Sequence, residues 1–224
     1  MKPIIAIDGP AGAGKSTVSR RLAQELGLRY VDTGAMYRVV GVLANEQGID
    51  FGDAPALAAL IERLDLRFEE GPGGGVQVIA NGRDVSQAIR TAAAGQLASK
   101  VSVVPAVRER LVALQRAMSA DGGVVMEGRD IGTVVLPHAT VKIYLIASPG
   151  ERARRRSDEL SARGETADLA QVTREIEERD RRDQSRAHSP LRPAADAVLI
   201  DTSNQPIEAV VARVRALTIG AGKA

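Results

Sequence analysis

Short aliphatic runs alternate along this chain with segments whose apolar residues recur every three or four positions. The first run, Ile4-Ile5-Ala6-Ile7, reads as a buried strand, and Val18, Leu22, Ala23 and Leu26 follow at helical spacing. Residues 28–34 predict a second short strand ending at a polar turn. Residues 35–45 then predict a helix with Met36, Val39, Val40 and Leu43 on one side. Another helix is expected over 55–64, with Asp53 near its N-cap. Buried strands are expected at 124–127, 141–146 and 197–201. Helical texture covers 86–100, Pro105 opens a helix over 106–118, and further helices are expected over 149–163, 168–187 and 207–217. Five short apolar strands with helices between them predict an α/β fold whose parallel sheet is covered on both faces.

One region breaks this rhythm. Residues 66–70 and 76–80 alternate polar and apolar, joined by Gly71-Pro72-Gly73-Gly74-Gly75, a hairpin signal. Asn81-Gly82 supplies a second tight turn of the primed type that hairpins favour. A small antiparallel sheet is therefore expected in an inserted lobe over about 63–100.

Composition narrows the class. Apolar residues make up 44% of 224, yet aromatics are 2% and there is no Trp, so the core must be aliphatic. A formal charge of +2 and the scarcity of stacking aromatics argue against a general nucleic-acid binder or an RNA-dependent nucleotide switch. With no cysteine there is no disulfide framework and no Cys-based metal site. The first strand begins almost at once and reaches Asp8, unlike a secretory leader, and no apolar run has the length of a membrane span. A single soluble, cytoplasmic domain is expected. His138 and His188 are isolated, lie beside prolines and read as surface residues.

The candidate chemistry begins at the first loop. Gly9-Pro10-Ala11-Gly12-Ala13-Gly14-Lys15-Ser16-Thr17 joins the first strand to the first helix, the setting a phosphate-binding loop requires. Its glycines let backbone N–H groups aim at a phosphate, and the helix N-terminus adds partial positive charge. Lys15 can reach the β- and γ-phosphates, and the Ser16 hydroxyl can ligate Mg²⁺, so a nucleoside triphosphate is the expected ligand.

Four further stretches qualify this site. Asp32-Thr33-Gly34-Ala35-Met36-Tyr37-Arg38 follows the second strand: Thr33 and Arg38 suit a phosphate and Asp32 a place near Mg²⁺, or the stretch is a helix cap with a surface arginine. Glu127-Gly128-Arg129-Asp130-Ile131-Gly132-Thr133 ends the third buried strand, where an arginine can fork onto a phosphate and an aspartate can accept from an exocyclic amino group; the alternative is a surface turn. Arg152, Arg154, Arg155 and Arg156 form either a solvated basic face or a lid over a transferring phosphoryl group. Arg179, Asp183 and Arg186 share one helical face, suited to a phosphorylated sugar or to plain surface pairing.

Taken in order, these runs closely resemble the bacterial cytidylate kinase family. The resemblance covers about 3–217, and Ile89-Arg90-Thr91, Pro105-Ala106-Val107-Arg108 and the 178–186 run add to it. It implies a P-loop nucleoside monophosphate kinase fold with a five-stranded parallel sheet. It also implies a monophosphate-binding lobe at 38–101, with an antiparallel insert at about 65–85, and a helical lid at 150–170. The implied reaction passes a phosphoryl group from ATP to CMP or dCMP, with Mg²⁺, in a monomer.

By this resemblance Ser99, Arg108 and Asp130 read the cytosine edge with Arg186 nearby. Arg179 and Asp183 hold the sugar, while Arg38 and Arg129 lie near the monophosphate. Lys15, Arg129 and the lid residues Arg154 and Arg155 are the expected catalytic cations, with Ser16 on the metal and Asp32 reaching it through water. Thr33 stands where the family also uses Ser, and Glu127 where it also uses Asp. A kinase for UMP or another small acceptor is the close rival.

Overall fold

The computed structural model describes residues 2–71, 75–162, 164, 166, 168–186 and 189–221, which form two units, one of residues 1–31 and 119–224 and the other of residues 32–118. In the larger unit, the first aliphatic run is β1 (Ile4–Asp8) and the helix after the glycine loop is α1 (Lys15–Leu26). The sheet is completed by β2 (Arg29–Asp32), β6 (Val124–Gly128), β7 (Val141–Ile146) and β8 (Val198–Asp201), in the order β2-β6-β1-β7-β8. β1 pairs in parallel with both β6 and β7, and β7 with β8. Ile5 and Ile7 are wholly buried in one cluster with Val18 and Leu22 of α1 and Val210, Val211 and Val214 of α8 (Ile207–Ala221). Beside the sheet, α6 (Pro149–Ser161) and α7 (Leu169–Gln184) pack through Ala153, Val172 and Ile176.

The smaller unit holds α2 (Thr33–Glu46), α3 (Ala54–Glu62), β3 (Leu66–Glu70), β4 (Val76–Ala80), β5 (Arg83–Asp84), α4 (Ala92–Val101) and α5 (Pro105–Met118). β3, β4 and β5 make the antiparallel sheet, which accounts for the alternating texture. Asn81 and Gly82 both have positive φ, 50° and 77°, as the primed hairpin turn requires. A Cβ on Gly41 of α2 would lie 2.8 Å from the Leu97 backbone, so α2 and α4 approach as closely as only glycine permits.

Several bounds differ from expectation, each for a local reason. α2 starts two residues early because the Asp32 carboxylate accepts the Ala35 N–H at 3.0 Å. α3 ends at Glu62 rather than 64. The 86–100 stretch divides into a 3₁₀ turn (Ala88–Arg90) and α4, because Thr91 caps α4 by accepting the Ala94 N–H. The segment after β6 is a buried π-type turn (Ile131–Val135) and not a surface turn, with Leu136 N–H donating to Ile131 at 2.7 Å. Parts of the expected 71–75 connection (residues 72–74), of the expected lid (163, 165 and 167) and His188 lie outside the described residues. Among the described residues no helix is long and apolar enough to cross a membrane.

Candidate active site

The glycine loop follows β1 without a break, and its shape is set by close approaches. A Cβ on Gly9, at φ 147°, would lie 2.1 Å from the Leu145 carbonyl oxygen of β7, and one on Gly12 would lie 2.9 Å from the Arg152 Cβ. Only glycine can occupy either place. Gly14 caps α1 in the left-handed region, and neither a side-chain cap nor an acid in the first turn satisfies the helix's first N–H groups. That leaves an anion site built from backbone. Ala13 is buried while Ser16 and Thr17 are exposed beside it. Lys15 is buried, and its Nζ donates to the Pro10 carbonyl across the loop at 2.8 Å. Burial pushes the Lys15 ammonium down from an ordinary 10.5 to about 7, with the Arg129 guanidinium working the same way and Glu127 opposing both.

α6 brings four arginines to four different environments. Arg152 is buried: Nη1 donates to the loop carbonyl of Ala11 at 3.1 Å and meets Asp180 of α7 at 2.6 Å, while Nε donates to Ala147. Arg155 pairs with Glu151 and donates to the Thr202 hydroxyl at 3.0 Å, and that hydroxyl lies 3.1 Å from the Ala13 carbonyl. Arg154 is 61% exposed and pairs with Glu151 and Asp158 of its own helix. Arg156 pairs with Glu159. Of the two expected lid cations, Arg155 is thus tied to the loop through Thr202, and Arg154 is tied, among the described residues, to α6 alone.

At the carboxyl end of β6 lies a second charged cluster. Arg129 pairs with Asp183 of α7 at 2.9 Å, and Arg186, one residue beyond the helix's C-cap, pairs with the other Asp183 oxygen. Burial works to raise the Asp183 carboxyl, but Arg129, Arg186 and Arg179 together hold it below its ordinary 3.8. Arg129 and Arg179 both act electrostatically on Lys15, so this cluster and the loop share one field. Glu127 is buried and accepts the Tyr30 hydroxyl. Asp130 is buried at the start of the π-type turn.

In the smaller unit, Arg38 pairs with Asp32 at 2.7 Å, so the Asp32 oxygens serve the α2 cap and this arginine. Thr33 is buried beside them. Ser99 and Arg108 are both buried and linked through Ser102, whose carbonyl accepts from Arg108 at 3.3 Å and whose hydroxyl donates to the Ser99 carbonyl. The Arg108 guanidinium also sits 5.8 Å from the Tyr37 ring centroid.

Two site residues escape a reading of local sequence: Thr202 and Asp8. Arg152 stands there among the four α6 arginines, and its burial sets it apart from the other three. Asp8 carried one available signal, as the one polar residue of a buried strand. Nothing local marks Thr202. Among the described residues no three His, Cys, Asp or Glu side chains gather as a metal cage. The donor set is an exposed serine hydroxyl next to a phosphate loop, which fits a Mg²⁺ that takes most of its ligands from phosphate and water.

The family model described as cytidylate kinase matches residues 5–218. A cytidylate kinase from Pelotomaculum thermopropionicum is 55% identical over 221 residues, covering 99% of this chain and 97% of that protein. One from a Marinomonas strain is 46% identical over 220 residues, covering 98% and 97%. Among solved structures, an uncharacterized protein from Eubacterium ventriosum shares the fold, with a TM-score of 0.54 at 11% identity over 97% of this chain and 99% of that one. The chain belongs to the cytidylate kinase family.

Proposed function

We propose that this chain transfers the terminal phosphoryl group of ATP to CMP or dCMP, releasing ADP and CDP or dCDP. The observation that carries this reading is the shared field of two cationic groups in one unit: the buried Lys15 at the glycine loop, and the half-buried Arg129 with Asp183 and Arg186 at the end of β6. Two such groups suit a reaction that brings two phosphates together.

The bond between the γ-phosphorus and the β,γ-bridging oxygen breaks, and a bond forms from that phosphorus to an oxygen of the acceptor monophosphate. A phosphate monoester with a second pKa of about 6 is already a dianion near neutral pH, so the attacking oxygen needs no base. That accords with a site whose histidines stand apart from it in sequence. The residues of this chain therefore supply alignment and charge neutralisation. Residues 9–17 hold the donor phosphates by backbone, and Lys15 reaches the β- and γ-oxygens. Arg154 and Arg155 neutralise the transferring group. The Ser16 hydroxyl would hold a Mg²⁺, which would supply positive charge to offset that of the donor phosphates.

On the acceptor, Arg129, Arg38 and Thr33 hold the monophosphate, Arg179 and Asp183 the sugar, and Ser99, Arg108, Asp130 and Arg186 the cytosine edge. By the same reading residues 38–101 form the monophosphate lobe, 150–170 the lid, and the enzyme acts as a cytoplasmic monomer. Initial rates of ADP release with CMP, dCMP, UMP, AMP and shikimate, beside a control without acceptor, test it. Turnover mainly with CMP and dCMP is expected; UMP outpacing CMP would overturn the base-reading assignments.

A further inference from the structure

The turn that carries Asp130 is capped from outside itself. Asp8, the last residue of β1, is only 4% exposed. Its Oδ1 accepts the Ile131 N–H at 2.9 Å and its Oδ2 accepts the Gly132 N–H at 2.8 Å. These N–H groups open the π-type turn, and such orphan donors are ordinarily satisfied by the side chain of the preceding cap residue. The cap residue here is Asp130, a good capping type, yet its side chain makes no capping bond. The cap has been handed to a residue 124 positions away from Gly132, on the strand that leads into the phosphate loop.

Burial pushes the Asp8 carboxyl up from 3.8 to about 6, against the pull of the two backbone N–H groups, and Asp130 adds like charge. Space is fitted to the contact as well: a Cβ on Gly132 would lie 3.4 Å from Asp8 Oδ2 and 3.2 Å from Lys142 Cδ.

We propose that Asp8 is a positioning residue for acceptor selectivity. By accepting both N–H groups it keeps the Asp130 carboxylate out of the cap and fixes the Arg129–Asp130 backbone, so that Asp130 presents its oxygens to an exocyclic amino group. This rests on the reading of Asp130 as a base contact.

The test is the ratio of kcat/KM for CMP to that for UMP in the full chain, measured for Asp8→Asn, Asp130→Ala and the double variant. A lost charge-assisted contact is expected to lower the ratio about tenfold in Asp8→Asn. The double variant should fall no further than Asp130→Ala alone. Asn removes the buried charge at nearly constant volume, and melting temperature checks its fold. Rates that fall equally for both acceptors in Asp8→Asn, while Asp130→Ala lowers the ratio, would overturn the role of Asp8 alone. An unchanged ratio in Asp130→Ala would remove the base-contact reading and this inference with it.

Discussion

Arg152 binds Asp180 of α7 at 2.6 Å and, through the same nitrogen, donates to the Ala11 carbonyl of the phosphate loop at 3.1 Å. One buried guanidinium thus ties the loop to two helices. Asp180 Oδ1 is itself buried with no hydrogen-bond partner among the described residues, so Asp180 depends on Arg152 for compensation. Arg152→Met should destabilise the protein by about 3 kcal/mol, the lower end for breaking a buried pair. Arg152→Met combined with Asp180→Asn should recover most of that loss. Urea denaturation of the single and double variants checks both; equal losses in the two would mean that Asp180 is not the group left uncompensated.

Lys15 holds its place at the expense of stability. Its folded-state pKa is lowered from 10.5 to about 7, chiefly by burial. The unfolded chain therefore binds more protons between these values, and the cost is full below pH 7 and fades as pH rises toward 10.5. Lys15→Met should raise the melting temperature of nucleotide-free protein at pH 7, by about 2–4 °C for each kcal/mol relieved. The gap to wild type should close on raising the pH to 10. The same variant should lose turnover by roughly 10³-fold. Calorimetry across that pH range with parallel assays checks the pair of effects.

Arg154 and Arg155 separate by environment. Among the described residues Arg154 pairs within α6 alone and is largely exposed, so Arg154→Ala should change stability by no more than about 0.5 kcal/mol. Any loss of kcat in Arg154→Ala then reports contact with the transferring group, and a role like that of a trans-acting arginine would give roughly 10³-fold. Arg155→Ala also breaks the bond to Thr202, so it should perturb both kcat and the KM for ATP. Single-turnover and steady-state rates for the two variants distinguish these outcomes.

What local sequence carries, and what it does not, follows from the reach of each interaction. β1, β6, β7 and β8 fall where the aliphatic runs predict them, because such runs between polar turns have few other ways to be buried. The hairpin was legible because Asn81-Gly82 demands positive φ at both positions. The π-type turn was not, since it depends on Asp8 more than 120 residues earlier. The ranking of the α6 arginines was equally hidden: four cations in five residues read alike until Asp180, Ala11 and Thr202 separate them. Resemblance pointed to Arg129, Asp183 and Arg186, and the structure gathers these three on one another.

Transfer to the monophosphate and release of phosphate to water differ in where the γ-phosphoryl group ends. Incubation of the protein with ATP labelled at the γ-phosphate, Mg²⁺ and CMP, followed by separation of the nucleotides, distinguishes them. The label is expected in the β-position of CDP with little free phosphate, and it should stay in ATP when CMP is omitted. Label released as inorganic phosphate at the same rate with or without CMP would contradict transfer to the monophosphate.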